Sequence, residues 1–176
     1  RVADPAAASG AKDRADDLPD RTRVADDTDP DQAPGARDGY YVYEEEGEQN
    51  RAFARKMVSD LRAVVREATP QTIASLYQRL LERDAIEYVE VLVETLDQDD
   101  RLDPERMSEL AVWLATRAPD REPVKIAIAI LGLYAQDTPE NRALFETLAA
   151  HDELTLYAVI GLSALLGEDS DEELWR

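Results

Sequence analysis

Residues 121–140 read REPVKIAIAILGLYAQDTPE, and between Lys125 and Asp137 no side chain is charged. Across the whole chain 34% of residues are Asp, Glu, Lys or Arg, so an uncharged run of this length stands apart. From Lys125 to Ile130, Ile and Ala alternate as they would on a strand. The run is nevertheless too long, and too rich in Ala and Leu, for one strand. A helix that is apolar on every side is a buried helix with neighbours all round it. The stretch therefore requires other helices, and the flanking sequence supplies them.

Three helix starts are marked alike. Thr69-Pro70, Asp103-Pro104 and Thr138-Pro139 each set an N-cap residue before a proline at the first helical position, where a missing N–H costs nothing. The steps between them are 34 and 35 residues, an internal repeat. Each start is followed by an apolar stripe: Ile73, Leu76, Tyr77 and Leu80, then Met107, Leu110, Ala111 and Leu114, then Leu144, Phe145 and Leu148. The third stripe slips by one residue against its proline, so the repeat is imperfect. An Asp-bearing turn follows in each unit (Asp84, Asp120, Asp152), and then a second, more apolar helix. LTLYAVIGLSALL, from Leu154, takes the place that 124–136 holds in the unit before. Ahead of the units, Phe53, Met57, Leu61, Val64, Val65 and Ala68 form the face of a first amphipathic helix beginning at Glu48.

A helix pair of this period, with Asp at the turn and then VK and a Leu-Gly or Ile-Gly step on the second helix, resembles the HEAT repeat. PDREPVKIAIAILGL (119–133) and AHDELTLYAVIGLSALLG (150–167) carry the likeness, which spans 69–167 at most and is poor in RDAIEYVEVLVETLDQ (83–98). The period is also that of tetratricopeptide repeats, whose small-residue positions are met only by Ala115 and Ala127. The resemblance implies an all-α, right-handed HEAT/armadillo-like α-solenoid that serves as a protein-binding scaffold, its second helices lining the concave face.

Composition limits the functions open to such a chain. Its 176 residues hold 39 Asp+Glu against 20 Lys+Arg, a net charge of −19, which repels nucleic-acid phosphates and anionic lipid. The expected partner is a protein with a basic surface, and neither nucleic acid nor membrane. Arginine far outnumbers lysine, a usage that fits a high-GC genome or a halophile. With no cysteine there is no disulfide, thiol nucleophile or cysteine metal site. No apolar run approaches the roughly 20 residues of a bilayer span. No secretory signal is evident, so the cytoplasm is the expected compartment. The chain begins at Arg1, which reads as a fragment or a processed product. Residues 1–47, rich in Ala, Asp and Pro, are expected to be a disordered acidic tail, with 48–176 the helical domain.

The remaining candidates are few. Tyr40, Tyr41 and Tyr43, beside three glutamates, either dock on the first helix or form a short partner motif. His151, the single histidine, suits a helix end and has no catalytic company, so no enzyme activity and no cofactor is expected. Read as a calcium loop from Asp97, DQDDRLDPERMS puts Leu102 where glycine belongs and Ser108 where a bidentate Glu belongs; no metal is expected. Glu87, Glu90, Glu94 and Asp97, offset by 3, 7 and 10, would share one helix face. That stripe is a solvated face, a receiver for a partner's Arg or Lys, or a divalent-ion site. At the far end, no residue from Leu154 to Gly167 is charged, and a new amphipathic helix then starts with a Ser170–Glu173 capping box. Leu162, Leu166, Leu174 and Trp175 are the expected surface for self-association or for a continuation of the chain. The functional expectation is a scaffold or adaptor. The alternatives are an acidic inhibitor or immunity-type protein masking a basic surface, or an accessory helical domain of a longer enzyme.

Overall fold

Thr69-Pro70, Asp103-Pro104 and Thr138-Pro139 each open a helix. In the computed structural model, which describes residues 47–167, the helices are α1 (Glu48–Arg66), α2 (Pro70–Leu80), α3 (Val89–Asp97), α4 (Pro104–Arg117), α5 (Arg121–Tyr134), α6 (Pro139–Ala149) and α7 (Thr155–Leu166). A 3-10 turn, Ala85–Glu87, precedes α3, and no strand occurs among the described residues. The tail reading, Tyr40, Tyr41, Tyr43, Leu174, Trp175 and the Ser170–Glu173 box lie outside the described residues.

The caps form as their chemistry requires. The Thr69 hydroxyl accepts the Thr72 N–H at 3.1 Å while the Thr72 hydroxyl accepts the Thr69 N–H at 2.9 Å. The Asp103 carboxylate accepts the N–H groups of Glu105 and Arg106, and the Thr138 hydroxyl accepts that of Asn141. Each such cap stabilises its helix start by about 1 kcal/mol.

Helix α5 sits at the centre. It packs against α2, α3, α4, α7 and the 3-10 turn. Residues 121–128 and 130–132 are all buried. The uncharged run thus has neighbours on most sides, as its composition demands. Pairing of α4 with α5, and of α6 with α7, follows the repeat.

The first unit is built differently. Both α2 and α3 pack chiefly on α1, through its buried Phe53, Met57, Val58, Leu61 and Val64. The expected α2–α3 pair is therefore replaced by two helices sharing one amphipathic support. The physical reason lies at Tyr88. Its ring is buried edge-on against Phe53, centroids 4.7 Å apart, and its backbone (φ −142°, ψ −2°) interrupts the helix between the 3-10 turn and α3.

Contact between α5 and α7 depends on two glycines. A Cβ built on Gly132 would stand 2.8 Å from the Gly161 Cα and 2.9 Å from its carbonyl oxygen. Real Cβ atoms do not approach backbone so closely, so the two helices touch backbone to backbone at this point.

Candidate functional site

Three of the second helices enclose a groove of about 460 Å³. Helix α5 gives the floor with Ala129, Gly132 and Leu133, and α7 one wall with Leu156, Ile160, Gly161 and Ala164. The other wall is the 3-10 turn and α3, with Ile86, Val93 and, along the edge, Glu87, Glu90 and Glu94. Asn50 of α1 lies at the boundary, and no Lys or Arg lines the recess. Its volume is within the range of small ligand sites, about 300–1,000 Å³. Ile160 keeps 56% of its surface exposed, the largest fraction of any bulky apolar side chain described. An exposed isoleucine beside three exposed carboxylates is an unusual neighbourhood on a chain this acidic.

The acidic residues divide. Glu90, Glu94 and Asp97 belong to α3, but Glu87 belongs to the 3-10 turn and pairs with Arg83. The four carboxylates thus do not lie on one continuous helix face, because Tyr88 breaks the helix between them. Glu87, Glu90 and Glu94 nonetheless border the same groove, while Asp97 does not line it. The fold provides by a turn what periodicity assigned to a helix.

Behind the groove lies a cluster of buried charge that the sequence reading passed over. Arg121, Glu122 and Lys125, on the first turns of α5, are all buried. The Glu122 carboxylate accepts the Ala85 N–H and, at 3.0 Å, the Lys125 ammonium. That ammonium also lies 5.4 Å from the centre of the Tyr157 ring, which lines the groove. Arg121 pairs with Glu153, and the Tyr77 hydroxyl donates to Asp120 at 2.7 Å. Burial pushes the Glu122 carboxyl above its ordinary value, against the pull of Lys125. Burial also raises Tyr88, helped by the nearby Glu122 carboxylate. These bonds tie α2, the 3-10 turn and the start of α7 to one end of α5, and so hold the groove walls in place. A charged first turn on an otherwise apolar helix was the available signal.

The other candidates are structural. The His151 carbonyl accepts the N–H of Thr155 at 2.9 Å and its hydroxyl at 2.8 Å, so the backbone of His151, at the α6–α7 turn, makes the cap. In the tested calcium loop Asp99 is buried against arginines and Asp103 caps α4. Among the described residues no group of three or more His, Cys, Asp or Glu could hold a metal ion. No helix there is long and apolar enough to cross a membrane. Of the expected self-association or continuation surface, Leu162 is half-buried and packs on the core, and Leu166 is half-buried as well. The most exposed bulky apolar side chains of α7 are Val159 and Ile160. Set beside protein-family models, curated proteins and solved structures, the chain matches none.

Proposed function

We propose that the chain is a non-enzymatic protein-binding module built on HEAT-like helix pairs of a solenoid. Its groove between α3, α5 and α7 receives an amphipathic partner helix bearing Lys or Arg. One observation carries the reading: an apolar floor and a carboxylate edge occur in the same recess, with no basic side chain among its lining. An amphipathic helix answers both features at once, apolar side chains at i, i+3, i+4 and i+7 filling the groove and flanking cations meeting Glu87, Glu90 and Glu94. Covering Ile160 contributes about 1–2 kcal/mol, and the charges add association rate and partner choice more than affinity.

The test uses two synthetic helices with the same leucine face, one flanked by lysines and one by glutamates. The lysine helix is expected to bind the full chain, to weaken as salt rises, and to lose about tenfold in affinity on Glu90→Lys/Glu94→Lys. A photo-crosslinking residue placed at Ile160 should join to it, and one placed at Trp113 on α4 should not. Equal binding of both helices, or of neither, would overturn the reading.

A further inference from the structure

A second recess, of about 520 Å³, lies where the end of α1 meets the start of α4, and its charge is of the opposite sign. Arg62, Arg66, Arg101 and Arg106 all line it, with Ser59 and Asp103. Four guanidiniums around one concavity are unexpected on a chain carrying −19. Arg66, Arg101 and Arg106 are exposed, yet three of the four guanidiniums are anchored. Asp99, with 5% of its side chain exposed, lies beneath them. One of its carboxylate oxygens takes the Nε and Nη2 of Arg62, and the other the Nε of Arg101 at 2.9 Å. Arg106 is anchored through Nη1 to the Val65 carbonyl at 2.9 Å, one of the unpaired carbonyls at the end of α1. Arg66 has no hydrogen-bond or ion-pair partner among the described residues.

The donor inventory decides what such a recess can take. A guanidinium has five N–H donors and no acceptor. Arg62 gives two of its nitrogens to Asp99, and Arg101 and Arg106 give one each to the contacts above, so N–H groups are left over on all three. Asp99 is consumed in orienting Arg62 and Arg101, and Asp103 in capping α4, its Oδ1 taking two backbone N–H groups. Four positive groups against these two occupied carboxylates leave the recess net positive. Guanidinium forks with spare donors match a tetrahedral oxyanion, and the anchoring of Arg62, Arg101 and Arg106 beforehand reduces the ordering cost of binding.

We propose that this crevice is an oxyanion site for a phosphate dianion, free or as a small phosphate monoester. It is independent of the groove and of the partner assigned to it. The repulsive field of the whole chain sets a threshold: a single-charged anion gains too little from the arginines to overcome it, whereas a dianion gains from several at once.

The experiment follows the arginine Nε–Hε resonances of the full 176-residue chain by NMR. Inorganic phosphate is titrated at pH 8 against chloride of matched ionic strength. Expected is one saturable transition with a Kd of about 1 mM or tighter, moving the signals of Arg66, Arg101 and Arg106 together. Arg66→Ala/Arg106→Ala should weaken it at least about tenfold, with the melting temperature lowered by no more than a few degrees for the lost Arg106–Val65 bond. Arg66→Ala alone, an exposed side chain without described contacts, should weaken it severalfold and covers the case in which the double variant misfolds. Phosphoserine as a second probe separates the sources: tighter binding than inorganic phosphate assigns an ester, equal binding the free anion. Absence of saturation to about 50 mM phosphate, or unchanged affinity in Arg66→Ala, overturns the proposal.

Discussion

The two recesses of this protein are made from different materials. The groove between α3, α5 and α7 is shaped by small residues, Ala129 and Gly132 of its apolar floor and Gly161 of the α7 wall, with carboxylates only at its edge. The crevice between α1 and α4 is walled by arginines and organised by one buried carboxylate, Asp99. Shape in the first comes from how closely two backbones approach. Shape in the second comes from which side chain holds which. A packing change should therefore damage the groove, and a charge change the crevice.

The largest effect is expected where that contrast is sharpest. Gly132→Ala sets a methyl group 2.8 Å from the Gly161 Cα, so α7 has to move as a body. Overpacking of this kind costs about 1–3 kcal/mol, and the upper end applies because the obstacle is backbone. Urea unfolding should show a lower midpoint, with lysine-helix binding reduced in parallel. Intact stability in this variant would mean that the groove floor is adaptable, and the contrast would fail.

Asp99→Asn comes next. It removes the anchor of Arg62 and Arg101 and should cost about 1–2 kcal/mol at neutral pH. Burial works to raise the Asp99 carboxyl, but its bonds with Arg101 and Arg62 prevail and hold it below the usual carboxylate range. A lowered value in the folded state means stability that is fully present above the unfolded value of about 3.9 and lost as pH falls through the folded one. The difference between native chain and variant should accordingly shrink below about pH 4. A difference independent of pH would show that Asp99 acts by shape and not by charge.

Glu122 has the reverse sign and a smaller effect. Its raised value in the folded state makes the buried carboxylate a cost above that value, relieved as pH falls toward the unfolded one. Thermal melts from pH 7 down to the unfolded carboxyl value of about 4.3 should show the native chain gaining on Glu122→Gln as acid is added. The smallest change in stability belongs to Glu90→Lys/Glu94→Lys, within about 0.5 kcal/mol, since both side chains are exposed. A substantial loss would place those carboxylates in a packed network and remove the groove's free edge.

How much of this was legible follows from what periodicity can see. The capped starts at Pro70, Pro104 and Pro139, the burial of α5 and the stripe of α1 from Phe53 to Val65 are local patterns, and each formed; Ala68, expected on that stripe, lies exposed beyond the helix end at Arg66, because the chain turns there toward the Thr69 cap. The interruption at Tyr88 was not local. It arises because Phe53 offers that ring a buried face, and this contact overrides the helical spacing of Glu87 and Glu90. The arginine crevice was invisible for the same reason: Arg62 and Arg66 reach Arg101 and Arg106 only because α1 packs beside the loop that opens α4. The glycine on each second helix is a mark of the repeat in the sequence, but that Gly132 and Gly161 meet each other is information held in the crossing of α5 and α7.

That crossing also acts as a mechanical stop. Sliding α7 along α5 by one turn in either direction would bring Tyr157 or Leu165 against Gly132 in place of Gly161, and neither side chain fits where a single methyl group does not. The two helices are thereby indexed like a tooth in a notch, which opposes sliding of one along the other. Helix α3 is seated mainly on α1. A partner that widened the groove would be expected to shift α3 against its Ala85–Glu122 tie before it parted α5 from α7. Distances measured between probes at Glu90 and Ile160 would lengthen on binding, while those between α5 and α7 would hold.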